Sequence, residues 1–215
     1  MSVDVKICGL TRAVDAEFAD AAGVQYLGVI FAGGPRERTP TQARETVAGR
    51  RARRVGVFST QSEEEIATTV ETVGLHVVQL HADADADRVQ RVRAATGAEV
   101  WAVIRTADGL LPEGVEALCE AADALLIDAL ASGQLGGSGQ TLPWDRLGES
   151  LDELDYHPRI VLAGGLTADN VAEAIDLVAP SVVDVSSGVE SSPGVKDHAR
   201  IRAFVAAVRS SREEE

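Results

Sequence analysis

Cys8 stands in the run Lys6-Ile7-Cys8-Gly9-Leu10-Thr11, just past three alternating apolar positions, Val3, Val5 and Ile7. Gly9 breaks the β-favouring pattern, so the thiol falls at the carboxyl end of a strand, at an exposed mouth and not in mid-core. Lys6 beside it, and the N-terminus of a helix that Thr11 would cap, both favour a thiolate and make Cys8 a candidate base or nucleophile. Asp128 ends a second apolar run, Ala124-Leu125-Leu126-Ile127, and precedes Leu135-Gly136-Gly137-Ser138-Gly139-Gln140, a loop able to close over a ligand. A carboxyl at that depth is costly to ionise, which suits a general acid; a helix cap or a carboxylate satisfied by loop amides is the plainer reading. Gly164-Gly165 and Ser186-Ser187-Gly188 follow two further apolar runs, and bare backbone N–H groups there suit a phosphate. Gln79 and His81 close another run; His81 has no second ligand at metal spacing and reads alone as a satisfied histidine at the mouth. Arg36, in Gly33-Gly34-Pro35-Arg36, offers a guanidinium that could hold a carboxylate bidentately, or could equally be a solvated surface arginine.

These residues need elements to position them. Apolar runs at residues 3–7, 26–31, 54–58, 76–80, 100–104, 124–127, 159–163 and 182–185 alternate with segments of helical spacing at 12–22, 40–48, from 62 onward, 85–96, 113–121, 144–154, 168–178 and 196–208. Thr39-Pro40 gives the second helix a cap and a proline at its first position, and Ser62-Glu63-Glu64-Glu65 gives the third a capping box. Strands apolar on both faces, each followed by a helix, argue a parallel sheet covered by helices. Eight such units in 215 residues predict one (β/α)8 barrel spanning 1–209, with 210–215 a frayed acidic tail. In such a barrel the reactive residues sit at the carboxyl ends of the strands, and phosphate is commonly held after the seventh and eighth. A solenoid would show repeats alike in sequence, and these share pattern only.

With 34 acidic and 20 basic residues the net charge is -14, the wrong sign for a nucleic-acid binder. Lys6 and Lys196 are the only lysines. An acidic, lysine-poor surface is what a protein needs to stay soluble in concentrated salt, pointing to a halophilic source; high-GC coding bias is the alternative. Two cysteines make no disulfide framework and no metal spacing, which suits a reducing cytoplasm, and no apolar run is long enough to span a membrane. Either a monomer or a homodimer fits the helix faces.

The whole set, Lys6 to Thr11, Gln79-Leu80-His81, Leu126-Ile127-Asp128 with Gly136-Gly137-Ser138-Gly139, Leu162-Ala163-Gly164-Gly165-Leu166, and Val183-Asp184-Val185-Ser186-Ser187-Gly188-Val189-Glu190, is similar to phosphoribosylanthranilate isomerases of tryptophan biosynthesis. The likeness runs from residue 3 to about 205. It implies the (β/α)8 fold, a small phosphorylated substrate, no metal, no cofactor, and an Amadori rearrangement of N-(5-phosphoribosyl)anthranilate to the 1-deoxyribulose 5-phosphate. It further implies that Asp128 is the general acid and Cys8 the general base. Arg36 would hold the anthranilate carboxylate, Gln79 and His81 would line the substrate site, and Asp184 would contact sugar hydroxyls. Gly164, Gly165, Ser187 and Gly188 would hold the phosphate. Gln140 and Glu37 depart from the family pattern, the first costing a positive charge near the loop and the second a stacking partner for the anthranilate ring. Other phosphate-gripping barrels fit less well: an epimerase would need metal-ligating side chains, and an indole-glycerol-phosphate synthase a lysine acid deep in the mouth. A silent sugar-phosphate-binding barrel would need neither Cys8 nor Asp128.

Overall fold

A computed structural model describes residues 3–82, 84–129, 143–154 and 158–211. Eight parallel strands close on themselves in the order in which they occur: β1 (Asp4–Ile7), β2 (Tyr26–Ile30), β3 (Arg53–Phe58), β4 (Val77–Leu80), β5 (Glu99–Thr106), β6 (Ala124–Ala129), β7 (Ile160–Leu162) and β8 (Val182–Val185). Between and after them run α1 (Ala13–Ala21), α2 (Pro40–Val47), α3 (Glu63–Val73), α4 (Ala86–Thr96), α5 (Val115–Ala121), α6 (Trp144–Asp152), α7 (Val171–Val178) and α8 (His198–Ser210). This is the (β/α)8 barrel that the alternating pattern predicts.

Local chemistry sets several boundaries. The Thr39 hydroxyl accepts from Gln42 N with Gln42 answering back, and Ser62 and Glu65 do the same, so α2 and α3 start on capping boxes as expected. Gly74 and Gly97 end α3 and α4 in the left-handed conformation, which costs glycine no Cβ clash. Thr11 is not a cap: Arg12 occupies that position without a side-chain capping bond, and the Thr11 hydroxyl donates to Gly194 O. Gly194 belongs to a hairpin absent from the sequence reading, β9 (Glu190–Ser192) against β10 (Val195–Lys196). That hairpin takes Lys196 out of the last helix, which starts at His198 with Asp197 as its cap. α8 includes Ser210, which the composition had put in the tail; residues 212–215 lie outside the described ones.

Two apolar layers result. Side chains such as Ile7, Leu27, Leu80, Leu125 and Val183 pack outward against the helices, while Tyr26, Val55, Val77, Trp101, Leu126, Val161 and Val182 point inward and fill the lower barrel. The inner set alternates with the outer along every strand. At the amino-terminal end Arg159 lies over the Tyr26 and Trp101 rings, 5.5 and 5.8 Å from their centroids, and donates to the Tyr26 hydroxyl and Glu99. Glu99 also pairs with Arg53 at 2.7 Å and accepts from Trp101 Nε1. A charged aromatic plug thus closes the barrel floor. Trp101→Ala would remove a fully buried ring from this plug and should cost about 3–5 kcal/mol. The expected reading is a lower urea midpoint at unchanged slope, followed by circular dichroism; an unmoved midpoint would mean that the floor contributes little.

Candidate active site

Above the apolar layer the inward positions turn polar. Lys6 of β1 is fully buried, and its Nζ lies 2.5 Å from Asp184 Oδ2 on β8 and 2.8 Å from Gln79 Oε1 on β4. Lys6 and Asp184 are register partners across the β1–β8 seam. Burial alone would lower the ammonium pKa, but Asp184 and Cys8 outweigh it and raise it, so Lys6 keeps its charge. A lysine does therefore lie deep below the mouth, contrary to the reading of the strand ends, but it is bound to a carboxylate and an amide. Asp184 Oδ1 is buried with no partner among the described residues.

One step up stand Cys8 just past β1, His81 just past β4, Arg105 on β5 and Asp128 on β6. Cys8 fits because β2 carries Gly28 opposite it: a Cβ there would come within 3.0 Å of Cys8 Sγ. The thiol is buried, not exposed. Its pKa is raised, against expectation, because burial outweighs the help from Lys6 and Lys196, and Asp184 adds to the rise. Cys119 is the core hydrophobe in α5 that its neighbours predict. Arg105, which the sequence reading passed over, pairs in register with Asp128. His81 is not the satisfied histidine expected, since its Nδ1 is buried without a partner among the described residues, as is Arg105 Nη2. Burial, Arg105 and Lys6 together push the His81 pKa down to about 4, so the ring is neutral near pH 7.

Arg36 is no solvated surface arginine. Its Nε and Nη2 grip Glu190 at 2.9 and 2.7 Å, and Lys196 Nζ reaches the same carboxylate at 2.8 Å. Buried Glu190 would by burial alone be harder to ionise, but Arg36 and Lys196 hold its pKa below the usual range. Lys196 is also buried, and there burial wins and lowers its pKa. The Arg36 stem lies on Gly9, where a Cβ would come within 2.6 Å of Cδ, which explains the glycine after Cys8. Glu37 is exposed and lines an outer groove with residues of α2 and α3, so its substitution for an aromatic falls outside the cavity. Gln140 and the 135–140 loop lie outside the described residues.

The remaining wall is made by glycines. Gly164 and Gly165 have φ of 89° and 68°, and Asn170 donates to Gly165 O while accepting from Thr167 N, which fixes that turn before α7. Gly188 lies so close to the neighbouring loop that a Cβ would sit 2.0 Å from Leu166 O. All ten residues singled out from the sequence, Cys8, Arg36, Gln79, His81, Asp128, Gly164, Gly165, Asp184, Ser187 and Gly188, line one cavity of about 450 Å³ at the carboxyl ends of the strands. That volume suits a small organic molecule. Among the described residues no cluster of His, Cys, Asp or Glu could hold a metal ion, and no helix is long and apolar enough to cross a membrane.

Comparison with known sequences matches residues 5–207 to the family described as N-(5'phosphoribosyl)anthranilate (PRA) isomerase. The chain belongs to the N-(5'-phosphoribosyl)anthranilate isomerase family. It is accordingly an isomerase, of the kind that serves tryptophan biosynthesis. The isomerase of Halorubrum lacusprofundi is 39% identical over 212 residues, 94% of each chain. The crystal structure of the Thermus thermophilus isomerase superposes with a TM-score of 0.84 at 34% identity, covering 98% of this chain and 100% of the other. An isomerase crystallised with reduced 1-(o-carboxyphenylamino)-1-deoxyribulose 5-phosphate gives a TM-score of 0.81 at 31% identity, covering 97% and 99%.

The lowered pKa of His81 has a consequence for stability. Unfolded, the ring takes a proton near its ordinary 6.5; folded, only near about 4. Below 6.5 the unfolded chain therefore binds the extra proton, and stability is lost as pH falls, by up to about 3 kcal/mol at pH 4. His81→Asn should show a smaller drop in unfolding free energy between pH 7 and 4.5 than the unsubstituted protein. Equal drops would mean that the folded ring titrates normally.

Proposed function

We propose that the cavity carries out the Amadori rearrangement of N-(5-phosphoribosyl)anthranilate with Asp128 as acid and Cys8 as base. The observation that carries this reading is that Cys8 and Asp128, just past β1 and on β6, with β7 and β8 between them in the sheet, line the same cavity as the glycine loops after β7 and β8. A sugar phosphate gripped at those loops would lie with its ring between the two groups. Asp128 gives its proton to the furanose oxygen as the C1–O bond breaks, and the nitrogen lone pair forms the C1=N bond of a Schiff base. The cationic imine acidifies the hydrogen on C2. Cys8, as thiolate, takes that proton, the electron pair forms C1=C2, and the enolamine ketonises to the product. Arg36 meets the anthranilate carboxylate, Gly164, Gly165, Ser187 and Gly188 cradle the phosphate, and the unpaired Oδ1 of Asp184 suits a sugar hydroxyl. Gln79 fixes the Lys6 ammonium, and neutral His81 supplies a polar wall that does not compete for the proton.

Because burial raises the Cys8 pKa, the thiolate is the minor form at neutral pH, and Lys6 and Lys196 limit how minor. The pH profile of kcat/KM should be bell-shaped with its upper limb above the ordinary thiol value of 9.0. Asp128→Asn keeps shape but holds no acidic proton, and Cys8→Ala holds no base. Each should lower kcat by at least about 10²-fold with little change in KM. The assay is the loss of substrate fluorescence, with the substrate made in situ. If Cys8→Ala kept near wild-type kcat, the base would lie elsewhere, with Asp184 next in line.

We also propose that the protein works in the cytoplasm of a halophile. Both lysines are buried, so every exposed basic side chain among the described residues is arginine or histidine on a chain of net charge -14, and the Halorubrum relative comes from a halophile. Lowering salt from molar to about 0.1 M lengthens the Debye length from about 3 to about 10 Å and lets the acidic surface repel itself. The melting temperature should fall over that range; equal values at both salt concentrations would remove the proposal.

A further inference from the structure

A guanidinium has two edges that can take a carboxylate side-on: Nε with one Nη, and the terminal pair Nη1 and Nη2. In Arg36 the first edge is fully used. Nε donates to Glu190 Oε1 at 2.9 Å and Nη2 to Oε2 at 2.7 Å, while Nη1 has no partner among the described residues. Glu190 cannot follow a moving arginine, because its Oε1 also accepts from Lys196 Nζ at 2.8 Å and from Gly194 N at 3.2 Å. Lys196 is anchored in turn on Ser186 O at 3.0 Å, and the Arg36 stem is seated on Gly9. Side chains of Arg36, Lys196 and Glu190 together carry two positive charges and one negative. The cluster therefore stays cationic, and the free terminal edge of Arg36 is where a second carboxylate would complete it.

The geometry points to Glu190 as a positioning residue that fixes the Arg36 guanidinium with its terminal edge toward the substrate, so that the enzyme selects an amine carrying an ortho carboxylate. This rests on the reading that Arg36 holds the anthranilate carboxylate. Glu190 is then neither a competitor for Arg36 nor a contact to substrate. It acts through the arginine, and its negative charge leaves the cluster able to take one anion and not two. The pKa of Glu190, held below the usual range by Arg36 and Lys196, keeps the carboxylate ionised in the working range of the enzyme.

The test compares two substrates in the same variant. N-(5-phosphoribosyl)anthranilate and N-(5-phosphoribosyl)aniline, each formed in situ from ribose 5-phosphate and the amine, differ only in the carboxylate. The ratio of their kcat/KM values measures what the carboxylate contributes, and any loss of folded enzyme or of general turnover cancels in it. A charge-assisted bidentate contact should make that ratio about 10- to 100-fold in the unsubstituted enzyme. Arg36→Ala should bring it near unity, and Glu190→Gln should lower it by about 10-fold, mostly through KM for the anthranilate substrate. Glu190→Asp, which keeps the charge but withdraws the carboxylate by one methylene, should fall between, and stands in if Glu190→Gln does not fold. If Arg36→Ala leaves the ratio intact, the assignment of Arg36 fails and takes this inference with it. If Arg36→Ala abolishes the ratio while Glu190→Gln and Glu190→Asp preserve it, Arg36 stands and the positioning role falls. If the ratio rises in Glu190→Gln, Glu190 competes with the substrate and the inference is overturned.

Discussion

The pair Lys6–Asp184 is the contact on which the rest depends. Leaving either ion alone in the interior would cost about 3–5 kcal/mol, so neither can be buried before the other arrives. They arrive from opposite ends of the chain, on β1 and β8, and they face each other across the seam where the barrel closes. Closing the sheet and assembling the polar floor of the cavity are therefore one event. Everything above that floor inherits its position: Cys8 lies two residues beyond Lys6 on β1, and the Ser187–Gly188 turn follows two residues beyond the end of β8 at Val185.

Crowding sets the chemistry of the next layer. Gly28, Gly9 and Gly188 each remove a side chain where Cys8, the Arg36 stem or the Leu166 carbonyl must pass. Burial of this kind disfavours a thiolate, and it beats two nearby ammonium groups in setting the Cys8 pKa. Burial, with the charges of Arg105 and Lys6, keeps His81 neutral. A site whose cations are fixed in advance is suited to a reaction in which one proton is given and another taken, because little has to reorganise as the charges move.

The fold was legible because its signals are local and repeat. Capping boxes at Thr39 and Ser62 and glycines ending α3 and α4 act within a turn of the chain, and the apolar runs need no partner to be recognised. The loop residues around the mouth were legible through their glycines and their place after the runs. What escaped depends on contacts far apart in sequence. Thr11 looks like a cap but is claimed by Gly194, 183 residues on, and Lys196 looks helical but is drawn into a hairpin and onto Glu190. The Cys8 shift could not be read because proximity of Lys6 says nothing about desolvation. Arg105 was within reach: Trp101, Val103 and Arg105 share one parity on β5, and counting by twos from the inward Trp101 leads to it.

A chain of net charge -14 has to admit a substrate that, by the family's chemistry, bears a phosphate and a carboxylate. Long-range repulsion would oppose entry in dilute buffer, where the Debye length reaches about 10 Å, and nearly vanishes in molar salt, where it is about 3 Å. Screening removes attraction over the same distances, so salt leaves nothing to steer the anions in. Recognition then has to come from groups within hydrogen-bond range and shielded from salt. Arg36 and Arg105 line the cavity and are such groups, while the two lysines are buried behind it, on Asp184 and Glu190, and set the field around Cys8. Lysine has gone from the surface, where arginine and acidic groups suffice, and remains where a compact ammonium fits between Asp184 and Gln79 or against Glu190. A planar guanidinium could not occupy the fully buried place of Lys6 without displacing the strands around it, and that steric limit accounts for lysine persisting there in a chain otherwise rid of it.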